Sequence, residues 1–178
     1  MVIPRIPRSL AKFRVKFFAI DTIITQYGIN FYFNNQKGGS MALWQKDFFL
    51  VSQHALKVFY GSIPPCISED DFNEWGWWQG APVPDKQEIE AILPVYKRLD
   101  DMTLYGSDQG NRLHLIYDNN GSIEQILVRV DLSGEHRSFV EAIVGLAQKR
   151  QWVFVSTTGQ VLLPEYEAIT NNLAASDA

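Results

Sequence analysis

Two β-type runs, Arg112–Asp118 and Ile123–Leu132, are separated by Asn119-Asn120-Gly121-Ser122. Asparagine and glycine both tolerate positive φ, so an Asn-Gly step between two apolar runs is the strongest short-range hairpin signal. This stretch constrains the fold more than any other, because it commits the middle of the chain to antiparallel pairing. In the second run, alternation puts Ile126, Val128, Val130 and Leu132 on one face. Ile123, Gln125, Leu127, Arg129 and Asp131 share the other. The first face is expected to be buried and the second half wet. The run MTLYGS, residues 102–107, is expected to add a third antiparallel strand.

Helical patterns flank these strands. Asp85 suits an N-cap, with Glu88 three residues later and Ile89, Ile92 and Leu93 on one face before Pro94. From Ser133 to Arg150, residues Phe139, Val140, Ile143, Leu146 and Ala147 recur at helical spacing. Ser133 is expected to cap this helix, with Glu135 at its positive end and Lys149 and Arg150 at its negative end. WVFVS, TTGQ and VLLP then read as strand, turn and short strand. Pro164 is expected to open a last helix with Tyr166, Ile169 and Leu173 facing inward. Residues 41–61 mix strand-like and helix-like spacing, and both readings stay open there. Residues 62–84 are irregular, broken by Pro64, Pro65, Gly76, Gly80, Pro82 and Pro84. The expected class is α+β: an antiparallel sheet of about four strands with helices packed on one face.

The charge is unevenly distributed. Residues 1–40 hold six Lys or Arg and one acid, a net +5; residues 41–178 hold ten Lys or Arg and nineteen acids, a net −9. The division predicts an extension, residues 1–40, and a single α+β domain, residues 41–178. The extension has three readings. A targeting signal is opposed by Asp21, which interrupts the apolar segment, and by the lack of a small-x-small cleavage site. A native basic arm could meet nucleic acid or a membrane. The favoured reading is that the stretch is not native protein. Lys37-Gly38-Gly39 can be encoded as AAAGGAGG, a purine-rich ribosome-recruiting motif one serine codon before Met41. The codons of Lys37–Gly39, or N-terminal sequencing of the native product, decide between these.

One cysteine, Cys66, permits no internal disulfide, which fits a reducing cytoplasm. No apolar run is long enough to span a bilayer, and no membrane role is expected for the domain. There is no glycine-rich phosphate loop, no metal-spaced His/Cys set and no nucleophile elbow. No cofactor or metal is called for. The acidic balance argues against nucleic-acid binding by the domain, since phosphates need cations.

Several side chains remain as candidates. His54, His114 and His136 are scattered, and a lone histidine is more often hydrogen-bonded or surface-exposed than catalytic. Cys66, between Pro65 and Ile67, is expected to act as a small buried apolar residue. Arg129 and Asp131, two apart on one strand face, are expected to share an ion-pair network. Asn120-Gly121-Ser122 is a formal glycosylation sequon, read here as turn chemistry. In SEDDFNEWGWW, Glu69, Asp70, Asp71 and Glu74 stand beside Trp75, Trp77 and Trp78. The spacing fits no cation-binding loop. The cluster reads either as solvated acids beside core tryptophans or as a recognition patch. In the second case carboxylates steer a basic partner and Trp77 or Trp78 anchors it.

The segment Ile126–Pro164, a strand ending in Arg-x-Asp, a helix, a Trp-bearing strand and G-x-x-L-x-P, resembles uncharacterised bacterial proteins that include candidate immunity proteins of toxin systems. The resemblance covers about the last third of the chain and carries no catalytic residue. It implies a non-enzymatic cytoplasmic protein that binds a basic partner such as a toxin. Glu69, Asp70, Asp71, Glu74, Trp77 and Trp78 are the expected partner-binding residues. The alternative is a small enzyme or ligand-binding domain using His114, Arg129 and Asp131.

Overall fold

The computed structural model describes residues 44–74, 76–78 and 84–175, all within the unit Ser40–Ala178. The extension, residues 1–40, lies outside the described residues. The strands are β1 (Gln45–Ser52), β2 (Val95–Arg98), β3 (Met102–Gly106), β4 (Arg112–Tyr117), β5 (Ile123–Asp131), β6 (Trp152–Ser156) and β7 (Val161–Leu162). The helices are α1 (Gln53–Tyr60), α2 (Glu69–Glu74), α3 (Lys86–Glu90), α4 (Arg137–Arg150) and α5 (Tyr166–Ala174). The fold is α+β around one sheet in the order β2-β3-β4-β5-β1-β6-β7, with every pairing antiparallel. The expectation of about four strands therefore falls short: among the described residues the sheet has seven.

Residues 41–61 support both periods because strand and helix abut there. Residues Gln45–Ser52 form a strand, buried from Phe48 to Ser52, and the chain turns into α1 at Ser52, whose Oγ accepts from the Ala55 N–H at 3.5 Å. Gly61 closes α1 in the left-handed region, φ 77°, and its N–H donates to the Lys57 carbonyl at 2.9 Å. β1 then sits between β5 and β6 in the middle of the sheet.

The β4–β5 hairpin forms, but with a different turn from the one Asn-Gly suggests. Only Gly121 takes positive φ, 76°. Its N–H donates to the Asp118 carbonyl at 3.0 Å, and the Asp118 carboxylate accepts from the Asn120 and Ser122 N–H groups, each at 2.8 Å. The aspartate organises the loop and leaves one left-handed position, which glycine fills.

Both faces of β5 are buried from Ile126 to Asp131, so the half-wet second face is a misreading. The first face joins Ile126 and Val128 to Phe48, Leu50 and Phe154, with Phe48 and Phe154 edge-to-face at 5.9 Å. The second joins Leu127 to Phe49, and Phe49 meets Phe72 of α2 with ring centroids 4.8 Å apart. Cover is thus needed on both faces, not one.

Three helix expectations are corrected at their ends. Asp85 does cap α3, accepting from the Gln87 N–H at 3.0 Å, but the helix ends at Glu90, before Ile92 and Leu93. Glu88 does not reach back to the cap; it is held by Lys149 and Arg150 of α4, which draw its carboxyl down to about 2. Ser133 does not cap α4, because Asp131 takes both its N–H (2.9 Å) and its hydroxyl (2.6 Å). Glu135 instead accepts from the Ser138 N–H at 3.1 Å. The last helix starts at Tyr166, two residues beyond Pro164.

The irregular segment before α2 is anchored by one glycine. The Ile67 N–H donates to the Gly159 carbonyl at 2.8 Å, and the Val161 N–H donates to the Pro65 carbonyl at 2.9 Å. Gly159 has φ 81°, and a Cβ there would collide with the Ile67 carbonyl oxygen. Gly159→Ala is therefore expected to destabilise by more than about 1 kcal/mol, the level set by positive φ alone. Urea unfolding checks this.

Candidate functional site

Two regions collect the side chains singled out from the sequence. The first is a row across the second sheet face: Asp47 of β1 lies opposite Arg129 of β5, which lies opposite Arg112 of β4. The Arg129 guanidinium grips the Asp47 carboxylate in a two-pronged pair, Nε–Oδ1 2.9 Å and Nη2–Oδ2 3.0 Å. Both side chains are buried, and Asp47 holds the Arg129 guanidinium above its ordinary range. The expected Arg129–Asp131 network is thus corrected. Side chains two apart on one strand point the same way, whereas Asp47 faces Arg129 directly across the ladder. Asp131 is engaged with Ser133, and its N–H donates to the Asn111 Oδ1 at 2.9 Å.

Arg112 is folded under the β3–β4 loop. Its Nε donates to the Ser107 carbonyl at 2.9 Å, and its Nη2 meets both the Asp108 carbonyl and the Asp108 Oδ1, the latter at 3.1 Å. Burial pushes its guanidinium below the usual arginine range, and the neighbouring Arg129 adds to this.

His114 stands in the next row of this face, between Leu104 and Leu127. It is 0% exposed, and neither ring nitrogen has a hydrogen-bond partner among the described residues. Burial first, then Arg112 and Arg129, depress its titration to about 3, so the ring is neutral near pH 7. His114, Arg129 and Asp131 share a sheet face, but Arg129 is occupied by Asp47 and Asp131 by Ser133. The structure thus does not join the three into one hydrogen-bonded group. The row is a largely buried polar seam across β1, β5 and β4.

The second region lies on the surface at α1 and α2. Ser68 opens α2, accepting from the Asp71 N–H at 3.2 Å. Glu69, Asp70 and Asp71 follow in the first turn, where the helix dipole favours carboxylates. Glu69 and Asp70 are exposed. Asp71 accepts from the Tyr60 hydroxyl at 2.8 Å, and burial together with this carboxylate pushes the Tyr60 phenol up. Glu74 ends α2, and its side chain lies outside the described residues, as does Trp75.

Trp77 and Trp78 are 4% and 6% exposed, so neither is a surface anchor. Trp77 Nε1 donates to the Phe72 carbonyl at 2.9 Å, and Trp78 packs edge-on against Trp152 at 4.9 Å. Their neighbouring positions serve opposite sheet faces, which draws both into the core. The exposed apolar residues nearby are Val58 and Phe59, 61% and 38% exposed, on the last turn of α1. Residue type alone does not single them out, since they become a helix surface only once α1 is separated from β1.

Cys66 is exposed, contrary to its expected burial, and its backbone bridges to Gln160. His54 is exposed on α1, and His136 precedes α4 with Nδ1 3.0 Å from the Gly134 carbonyl oxygen. Among the described residues, no three His, Cys, Asp or Glu side chains are placed to hold a metal ion. Among them too, no helix is long and apolar enough to cross a membrane.

No protein family, curated protein or solved structure matches this chain. The likeness of Ile126–Pro164 to bacterial immunity-type proteins is therefore a resemblance in pattern, without a demonstrated relative behind it.

Proposed function

We propose that this protein is a cytoplasmic, non-enzymatic binding protein for a cationic protein partner, acting as an immunity protein does when it occupies a toxin's basic site. The observation that supports this reading best is the exposure of Glu69 and Asp70 on α2, whose third carboxylate, Asp71, is fixed by Tyr60. Residues 41–178 carry a net −9, so the long-range field also favours a cationic approach.

Carboxylates at an interface rim act mainly on association. The pair Glu69→Lys and Asp70→Lys is expected to slow association at low salt by about tenfold or more, with the difference closing as salt rises. The probe is the purified product of an adjacent, strongly basic reading frame, followed by stopped-flow fluorescence. Asp71 is left in place because its loss would also free Tyr60. An unchanged on-rate at low salt removes α2 from the binding surface. Failure of a basic neighbour to bind at all overturns the reading.

A further inference from the structure

We infer that Asn120, at the tip of the β4–β5 hairpin, is a site of spontaneous deamidation, and that the carboxylate it forms loosens the turn that Asp118 organises.

Asparagine is among the chemically labile side chains. Its amide is lost when the backbone nitrogen of the next residue attacks the side-chain carbonyl carbon, and a side chain on that next residue obstructs the approach. Asn120 is the one asparagine of the chain that precedes a glycine. Asn119 to Ser122 are all exposed, and a Cβ at Gly121 would meet nothing within 4 Å. The Gly121 nitrogen is restrained by its hydrogen bond to the Asp118 carbonyl, 3.0 Å, at an exposed loop tip where local opening costs little. Asn111 differs in every respect. Arg112 follows it, its Oδ1 accepts from the Asp131 N–H at 2.9 Å, and its Nδ2 donates to the Glu135 carbonyl at 3.2 Å.

The reaction needs only water. The Gly121 nitrogen bonds to the Asn120 Cγ, the Cγ–Nδ2 bond breaks, and the proton from Gly121 N–H leaves with the amide as ammonia. Water then opens the cyclic imide at either carbonyl. The product is aspartate, or the isomer in which the backbone runs through the side chain. Asn120 Nδ2 donates to Asp118 Oδ2 at 3.5 Å, so conversion sets a carboxylate against a carboxylate, and like charges at that range repel. Asp118 Oδ1 holds the Asn120 and Ser122 N–H groups, each at 2.8 Å, so displacing it releases both. The isomer adds a backbone carbon between those two N–H groups and spoils their spacing as well.

The test is ageing of the folded full chain in mildly alkaline buffer, followed by peptide mapping for the mass gained when an amide becomes a carboxyl. Asn120 is expected to convert several-fold faster than Asn111 or Asn171. Asn120→Ser keeps the backbone N–H that Asp118 holds but has no amide, and it should abolish the main acidic species on ion exchange. Asn120→Asp supplies the product without ageing. It should speed amide exchange at residue 120 and Ser122 at low salt, with the difference closing as salt rises. Conversion of Asn120 no faster than that of Asn111 overturns the site, as does an acidic species that forms equally fast in Asn120→Ser. Unchanged amide exchange in Asn120→Asp overturns the loosening.

Discussion

Asp47→Ala is expected to cost about 3–5 kcal/mol, because it leaves the Arg129 guanidinium buried with its carboxylate gone. The Asp47–Arg129 pair lies inside the sheet, two-pronged, with both side chains nearly out of water. The strength of that response is not the worth of the pair. Much of it is the penalty of one orphaned buried charge. Asp47→Leu combined with Arg129→Met removes both charges while roughly keeping volume. The double variant is expected to recover most of the stability lost by either single change. Urea unfolding of the parent, Asp47→Leu, Arg129→Met and the double variant reads the coupling directly. Near-additive losses would mean that the pair is not closed in solution.

The second large effect is acid sensitivity through His114. Its folded-state value lies near 3, against 6.5 for an unperturbed histidine. Above pH 6.5 the ring is neutral in both states and its environment is tolerated. As pH falls below 6.5 the unfolded chain takes up a proton that the folded chain refuses, so stability is lost down to the folded value. The slope is at most about 1.4 kcal/mol per pH unit for one proton. The window from pH 6.5 to 4.5 isolates this effect from most carboxylate titration. His114→Leu fills a similar space without ring nitrogens. It is expected to remove the slope in that window and to leave stability at pH 7 unchanged or raised by about 1–3 kcal/mol. Chemical denaturation at four or five pH values checks both points. A parent protein with a flat profile from pH 6.5 to 4.5 would show that the ring finds a partner in solution.

The sequence disclosed local structure more readily than it disclosed pairing between distant segments. The β4–β5 hairpin, the buried stripe of α4 and the cap at Asp85 each depend on residues close in the chain, and each is present. Arg129 was visible as a charged residue in an apolar strand, yet its partner lies 82 residues away, and nothing in the strand's own spacing points to Asp47. A carboxylate two positions before Phe49, and so on the same strand face, is the available signal. Ser52 hid the end of β1 by serving at once as last strand residue and helix cap. Trp77 and Trp78 follow the reading that places them in the core beside solvated acids, not the one that makes either an anchor. A Trp-Trp step beside four acids has the composition of an interface, and only the sheet's two-sided cover shows that both rings are needed inside.

The place of β1 has a consequence during synthesis. It is the first of the described strands to leave the ribosome, and it carries Phe48, Phe49, Leu50 and Val51, all buried in the finished domain. Its two neighbours, β5 and β6, emerge roughly eighty and a hundred residues later, so both flanks stay open through most of translation. A nascent chain of this design is expected to depend on a holding chaperone until residue 156 has cleared the exit tunnel. Ribosome-bound truncations ending before β6 should be sensitive to protease throughout, however well the β2–β5 meander has formed.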